Sequence, residues 1–167
     1  PDSEGDTYDK LIRYPFPIIR LSELYLNLAE ALNELNGPSQ QVYDALNVIR
    51  DRAGIPNIQD SWSDSSITSD PGKHTDQVGL REIIRHERLI ELCFEGHRYN
   101  DIRRWKLGLE YFSTQVKGWS VDEDNQSDFY NVIDVGLRAF NSPRDYLHPI
   151  SFNELNINPS LVQSPGW

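Results

Sequence analysis

Apolar residues recur every three or four positions between Ile18 and Asn36. Leu21, Leu24, Tyr25, Leu28, Leu32 and Leu35 share one face at helical spacing, and Glu23, Asn27, Glu30 and Glu34 gather opposite. That spacing predicts an amphipathic helix, with Leu26 on its flank where it would expose apolar surface. Gly37-Pro38 closes the helix, and Ser39 is placed to cap a second one. The second runs to about Ala53, carries Val42, Ala45, Leu46, Ile49 and Ala53 on one face, and is stopped by Gly54 and Pro56. Two helices joined by so short a link lie antiparallel, so a helical hairpin is predicted.

Upstream, Tyr14-Pro15-Phe16-Pro17 reads as an extended lead-in that cannot be helical. Downstream, residues 57–78 are rich in Ser and Asp and offer little to bury, which predicts a long surface loop. A third helix is predicted over about Val78 to Phe94, broken at Gly96, and a short fourth over Tyr99 to Lys106. After Gly108 the helical period fades. Phe129 to Val135 alternates as a strand does, and Leu137 to Phe140 is the segment expected to pair with it as a short β-hairpin. Pro143, Pro149, Pro159 and Pro165 punctuate an extended tail with one helical turn near Ser151 to Leu155. The fold class is mainly α: a helical hairpin plus further helices, with long irregular loops and one small β element. Residues 1–167 read as a single domain, a helical core over 18–107 and an irregular wrap over 108–167.

One stretch breaks the binary pattern. On the third helix Leu80, Ile83, Ile84, Ile90 and Phe94 fall on one face, yet Glu87 and Glu91 lie in that stripe and Glu95 at its edge. Carboxylates in an apolar stripe need ionic partners. Arg98, Arg103 and Arg104 follow directly with Asp101 among them, and Arg50 and Arg52 of the hairpin are further candidates. Glu87, Glu91, Glu95, Arg98, Asp101 and Arg104 therefore read as a structural salt-bridge lattice. The competing reading is a glycosidase pair, since carboxylates one turn apart could approach the roughly 5–5.5 Å of a retaining enzyme. Glycosidase carboxylates flank substrate from separate elements in an open cleft, so the lattice is preferred and no catalytic residue is assigned.

Sixteen Lys and Arg against 26 Asp and Glu leave a net charge of −10, which argues against nucleic acid and anionic lipid as partners. No run approaches the roughly 18 apolar residues of a membrane span. His74, His86, His97 and His148 are scattered without metal-ligand spacing. Asp122, Asp124 and Asp128 hint at a calcium loop, but Ser127 and Ile133 stand where its Gly and terminal Glu belong. No cofactor or metal is expected. Cys93, the single cysteine, lies within the helical run and reads as a small core residue rather than a reactive thiol.

Four segments together resemble the SusD/RagB family of outer-membrane lipoproteins: Arg20 to Ala31, Ala45 to Gly54, Glu87 to Trp105, and the close formed by Leu147 to Ile150, Asn158-Pro159 and Gln163 to Trp167. The resemblance implies a tetratricopeptide-like hairpin and places the chain as the C-terminal region of a longer protein. Full members begin with a lipoprotein signal, an anchoring cysteine and further hairpins. It further implies non-catalytic binding of glycans, or in some branches peptides, at the cell surface for nutrient uptake. The partner implied is a SusC-like TonB-dependent transporter, and the membrane is reached only through the lipid anchor. A peptide-binding or purely scaffolding role is the alternative, and a glycoside hydrolase the more remote one. Within the chain, sugar binding calls for an aromatic platform, because a pyranose presents an apolar C–H face. Trp62, in the Ser/Asp-rich stretch, and Trp119, between Lys117 and Asp122, are the candidates, each of which could instead pin its loop to the core. The resemblance places Trp105 and Trp167 at family core positions, as packing residues.

Overall fold

The computed structural model describes residues 17–167, so Tyr14, Pro15 and Phe16 of the extended lead-in lie outside the described residues. By internal contact the chain forms two compact units, dividing after Cys93.

The first unit is built on the predicted hairpin, α1 (Leu21–Asn36) and α2 (Gln40–Ala53). Gly37 ends α1 at φ 74°, and its N–H bonds the Asn33 carbonyl. Gly54 ends α2 in the left-handed region, with Ile55 N–H on Arg50 O and Gly54 N–H on Asp51 O, a Schellman closure. Ser39 stands at the N-cap of α2 but makes no side-chain capping bond. Residues 57–78 are more ordered than their composition suggests. A short helix, α3 (Ile58–Ser63), buries Ile58 completely, and a 3-10 turn (Lys73–Thr75) leads into α4 (Gln77–Glu91). Asp76 caps α4, its carboxylate accepting from Gly79 N–H at 2.9 Å.

The core joins Leu26 and Ala29 of α1, Val42, Ala45, Leu46 and Ile49 of α2, Ile58, and Leu80, Ile83 and Ile84 of α4. The buried faces of α1 and α4 differ from those the sequence pattern predicts, and Cys93, expected in the core, is exposed. Leu26 is fully buried, whereas Leu21, Leu24, Leu28 and Leu35 stay exposed. On α4, Ile90 is 61% exposed and Phe94, beyond the helix end, fully so, while the stripe that packs carries Arg88 beside the aliphatics.

The reason for the rotated face of α1 lies on α4. The two helices pack together, and polar pairs tie them along their length: Glu34 to Arg81 (2.5 and 2.6 Å), Asn27 to Arg88 (2.7 Å) and Arg20 to Glu91 (2.9 Å). At one end Asn33, fully buried, and Gln77 exchange side-chain to main-chain hydrogen bonds of 3.0 and 2.7 Å. The polar stripe of α1 is thus an interhelical seam, which outweighs leucine count in setting orientation.

These pairs bear on acid stability. The Arg81 guanidinium hydrogen-bonded to Glu34 holds that carboxyl below the usual range, against a smaller upward push from burial. The Ser66 hydroxyl and amide do the same for Asp64, and Arg144 with the Asn141 amide for Asp145. A carboxyl whose pKa is lowered by folding contributes stability that is fully present above its unfolded value and lost as pH falls through the folded one. Urea midpoints should therefore be level at neutral pH and fall below about pH 4. Glu34 is largely solvent-screened, so Glu34→Gln should cost about 0.2–1 kcal/mol at pH 7 and flatten the acid limb. An unchanged acid limb in that variant would count against the assignment.

The second unit begins with α5 (His97–Arg104), after Gly96 at φ 80°, then α6 (Gly108–Phe112). Strand β1 (Gln115–Trp119), the short helix α7 (Gln126–Phe129) and strand β2 (Val132–Leu137) follow. A 3-10 turn (Arg144–Tyr146) and α8 (Phe152–Ile157) complete it. The strand pairing differs from expectation. β2 pairs antiparallel with β1 rather than with residues 137–140, and starts later because residues 126–129 turn as a helix. Phe140, beyond β2, is buried instead, its ring 5.9 Å from Phe112 and 4.6 Å from Tyr146. It lies so close to Gly108 that a Cβ there would fall 2.3 Å from the ring. The Tyr146 hydroxyl donates to Lys106 O at 2.9 Å and accepts from Gly108 N–H at 3.0 Å. In the tail, Gln163 exchanges two hydrogen bonds with the Ile150 main chain (2.8 and 3.0 Å), standing in for a strand partner. Trp167 donates its indole N–H to Arg144 O at 3.0 Å beneath the Arg144 guanidinium.

Candidate functional site

The α4 carboxylates are taken up by arginines. Glu87 pairs with Arg50 Nη1, and the same guanidinium donates to Pro56 O (2.6 Å) and Ser61 Oγ (2.7 Å). Glu91 accepts from Arg20 at 2.9 Å and from Arg52 on both oxygens at 2.7 Å. Arg20, which no local sequence pattern marks as a partner, also reaches the Glu91 carbonyl at 2.8 Å. The Glu87 and Glu91 side chains are only 15% and 12% exposed, so these oxygens line no open cleft of the kind glycoside hydrolysis needs. The other lattice candidates belong to the second unit. There Asp101, buried, accepts from Arg104 Nε at 2.9 Å, Arg98 lies over the Tyr111 ring at 4.7 Å, and Glu95 precedes α5.

The two tryptophan candidates differ in what covers them. Trp62 is half-buried against the core of the first unit, with Lys73 Nζ 5.7 Å from its ring centre. Its carbonyl accepts from Gly72 N–H at 2.7 Å, which closes the intervening loop on itself. Lys73 is held in turn by Glu82 at 2.6 Å.

Trp119 ends β1 on its exposed face. Val116 and Gly118 alternate with Lys117 and Trp119, and the ladder sets Trp119 opposite Val132 and Lys117 opposite Asp134, with a register shift between Val116 and Lys117. Aromatic against β-branched is a favourable cross-strand pair. The segment between the strands returns through α7, which brings Phe129 and Tyr130 back to the indole. Tyr130 meets Trp119 edge-on at 5.2 Å and 83°, Phe129 lies at 6.0 Å, and the two smaller rings meet each other at 5.2 Å and 87°. Edge-to-face and tilted contacts of this kind brace an aromatic side chain. Trp119 stays 55% and Tyr130 53% exposed, beside Val132 at 64%. The sequence singles out Trp119 among these rings, and not Phe129 or Tyr130. Their adjacency in sequence was the available signal; their approach to Trp119 depends on a ladder that local alternation does not specify.

A concavity lies along α2, where an open cleft of about 500 Å³ is lined by Asp44, Asn47, Asp51, Gln59 and Asp60 among others. Asn47 is engaged structurally, accepting from Ile58 N–H at 2.9 Å and donating to Gln59 at 3.0 Å. No aromatic ring lines this cleft, so it lacks a surface on which a sugar ring could stack. Among the described residues, no group of three or more His, Cys, Asp or Glu is placed to hold a metal ion, and no helix is long and apolar enough to cross a membrane.

Comparison with known proteins gives one family. Residues 4–167 match the model of the SusD family. A SusD-like protein of Formosa agariphila is 33% identical over 147 residues, 88% of this chain and 23% of its own length. Among solved structures, a SusD-like protein of Bacteroides fragilis is 35% identical with a TM-score of 0.68, covering 90% of this chain and 25% of that one. A SusD-like carbohydrate binding protein of the same species is also 35% identical, with a TM-score of 0.63 over 86% of this chain and 28% of that one. The chain spans about a quarter of the length of the curated relatives it matches.

Proposed function

The chain belongs to the SusD family, and from that premise we propose that it serves non-catalytic glycan binding for nutrient uptake, with Trp119 as a sugar-stacking platform. The observation that carries this is the half-exposed Trp119 indole, braced edge-on by Tyr130 and at a tilt by Phe129. A pyranose C–H face laid on such a ring loses apolar surface to the contact while its hydroxyls stay hydrated or meet polar neighbours. A carbohydrate-binding solved relative supports the reading. The arginine-bound state of Glu87 and Glu91 supports a role without hydrolysis. In the whole protein, we place this binding at the cell surface, on a lipid-anchored outer-membrane protein that delivers glycan to a SusC-like TonB-dependent transporter. Trp62, half-covered and tied to Lys73, is assigned to holding its loop.

Native electrophoresis through gels containing a panel of plant and host polysaccharides tests the reading. At least one polysaccharide should retard the chain without releasing reducing sugar. Trp119→Ala should weaken that retardation at least about tenfold, equivalent to about 1.4 kcal/mol, and Trp62→Ala should leave it intact. The reverse ranking, or retardation unaffected by Trp119→Ala, would refute the platform.

A further inference from the structure

The surroundings of the platform carry charge of one sign. From Gln115 to Leu137 the chain holds Asp122, Glu123, Asp124, Asp128 and Asp134 against Lys117 alone, a local excess of four negative charges. That single base is faced across the ladder by Asp134. The acidic run does not lead away from the indole. Val121 N–H bonds Trp119 O at 3.0 Å and Glu123 N–H bonds Ser120 O at 3.2 Å, so the chain turns as it leaves β1. A turn of this kind keeps its ends within about 7 Å. Asp128 stands next to Phe129 on α7, so acid flanks the braced rings from a second element. Asp122, Glu123 and Asp124 are all exposed, and none has an ion-pair partner among the described residues. Their field therefore reaches a ligand on Trp119 with little internal compensation. At physiological ionic strength the screening length is about 8 Å, so these carboxylates act on the part of a ligand that comes within about that distance of them.

We infer that the Trp119 platform selects neutral glycans and rejects sulfated or uronic-acid polysaccharides through the carboxylates of Asp122, Glu123 and Asp124. This rests on the reading of Trp119 as a glycan platform and adds the substrate class to it. An anionic chain laid across the indole brings a negative group every one or two sugars toward uncompensated carboxylates. A neutral chain of the same backbone meets them as hydrogen-bond acceptors for its hydroxyls.

The test uses the full chain and backbone-matched pairs of polymers: dextran with dextran sulfate, galactan with its sulfated form, and methyl-esterified with free polygalacturonate. Native electrophoresis is run on the wild type and on the triple variant Asp122→Asn, Glu123→Gln, Asp124→Asn. At least one neutral member should retard the wild type on the order of tenfold more strongly than its anionic partner. The triple variant should keep the neutral retardation and gain retardation by the anionic partner. Equal or stronger retardation of the wild type by an anionic member, abolished by Trp119→Ala, would overturn the charge selection while leaving the platform standing. Retardation by no member of any pair would overturn the platform and the selection together.

Discussion

Arg50→Ala is expected to lower the unfolding free energy of the helical unit by about 3–5 kcal/mol, the cost of leaving buried partners of an ion pair uncompensated. Arg50 is 8% exposed, and its guanidinium points at three acceptors on three segments: Glu87 of α4, Ser61 of α3 and the Pro56 carbonyl between α2 and α3. No single-centred ammonium meets three divergent acceptors, so Arg50→Lys should recover little. Arg52→Ala is the internal control. Arg52 also grips a glutamate, Glu91, but its side chain is 59% exposed, and its loss should cost no more than about 1 kcal/mol. Urea unfolding followed by far-ultraviolet circular dichroism reads the three variants on one scale. Equal losses for Arg50→Ala and Arg52→Ala would show that burial of the lattice contributes nothing.

The same residues show what a sequence discloses and what it withholds. The buried face of α2 was legible because Val42, Ala45, Leu46 and Ile49 are all apolar and recur at helical spacing. The buried face of α1 was not. Leucines outnumber the residues that pack, and the partners of Asn27 and Glu34 lie on α4, 61 and 47 residues away. Ile58 is a single apolar residue in a polar stretch, and its burial depends on where α2 ends. Glu87 and Glu91 stood out at once as charges in an apolar stripe. Which arginines reach them is a tertiary fact, and Arg20, at the threshold of α1, left no local sign. The platform was half legible. Trp119 is conspicuous by chemistry, whereas Phe129 and Tyr130 join it only because β2 pairs with β1 and not with the segment after it.

The second large effect is Phe140→Ala, expected to cost about 3–5 kcal/mol in the unit that carries the platform. Phe140 is 8% exposed and holds Phe112, Tyr146 and the bare Cα of Gly108 around one ring. The strands offer little to replace it, because every residue of β2 is exposed. Phe140→Leu keeps most of the apolar volume and should cost markedly less. Both variants are read by denaturant unfolding, with near-ultraviolet circular dichroism following the aromatic packing. If Phe140→Ala unfolds at the wild-type midpoint, this aromatic cluster does not organise the unit.

The most direct test of the platform is nuclear magnetic resonance of the four indole N–H groups during titration with an oligosaccharide cut from a neutral polysaccharide that retards the chain. Assignment follows from single Trp→Phe variants at Trp62, Trp105, Trp119 and Trp167. The Trp119 indole should shift saturably, while Trp62, beneath Lys73, and Trp167, bonded to Arg144 O, stay in place. A saturable shift at Trp62 with Trp119 unmoved would contradict the platform.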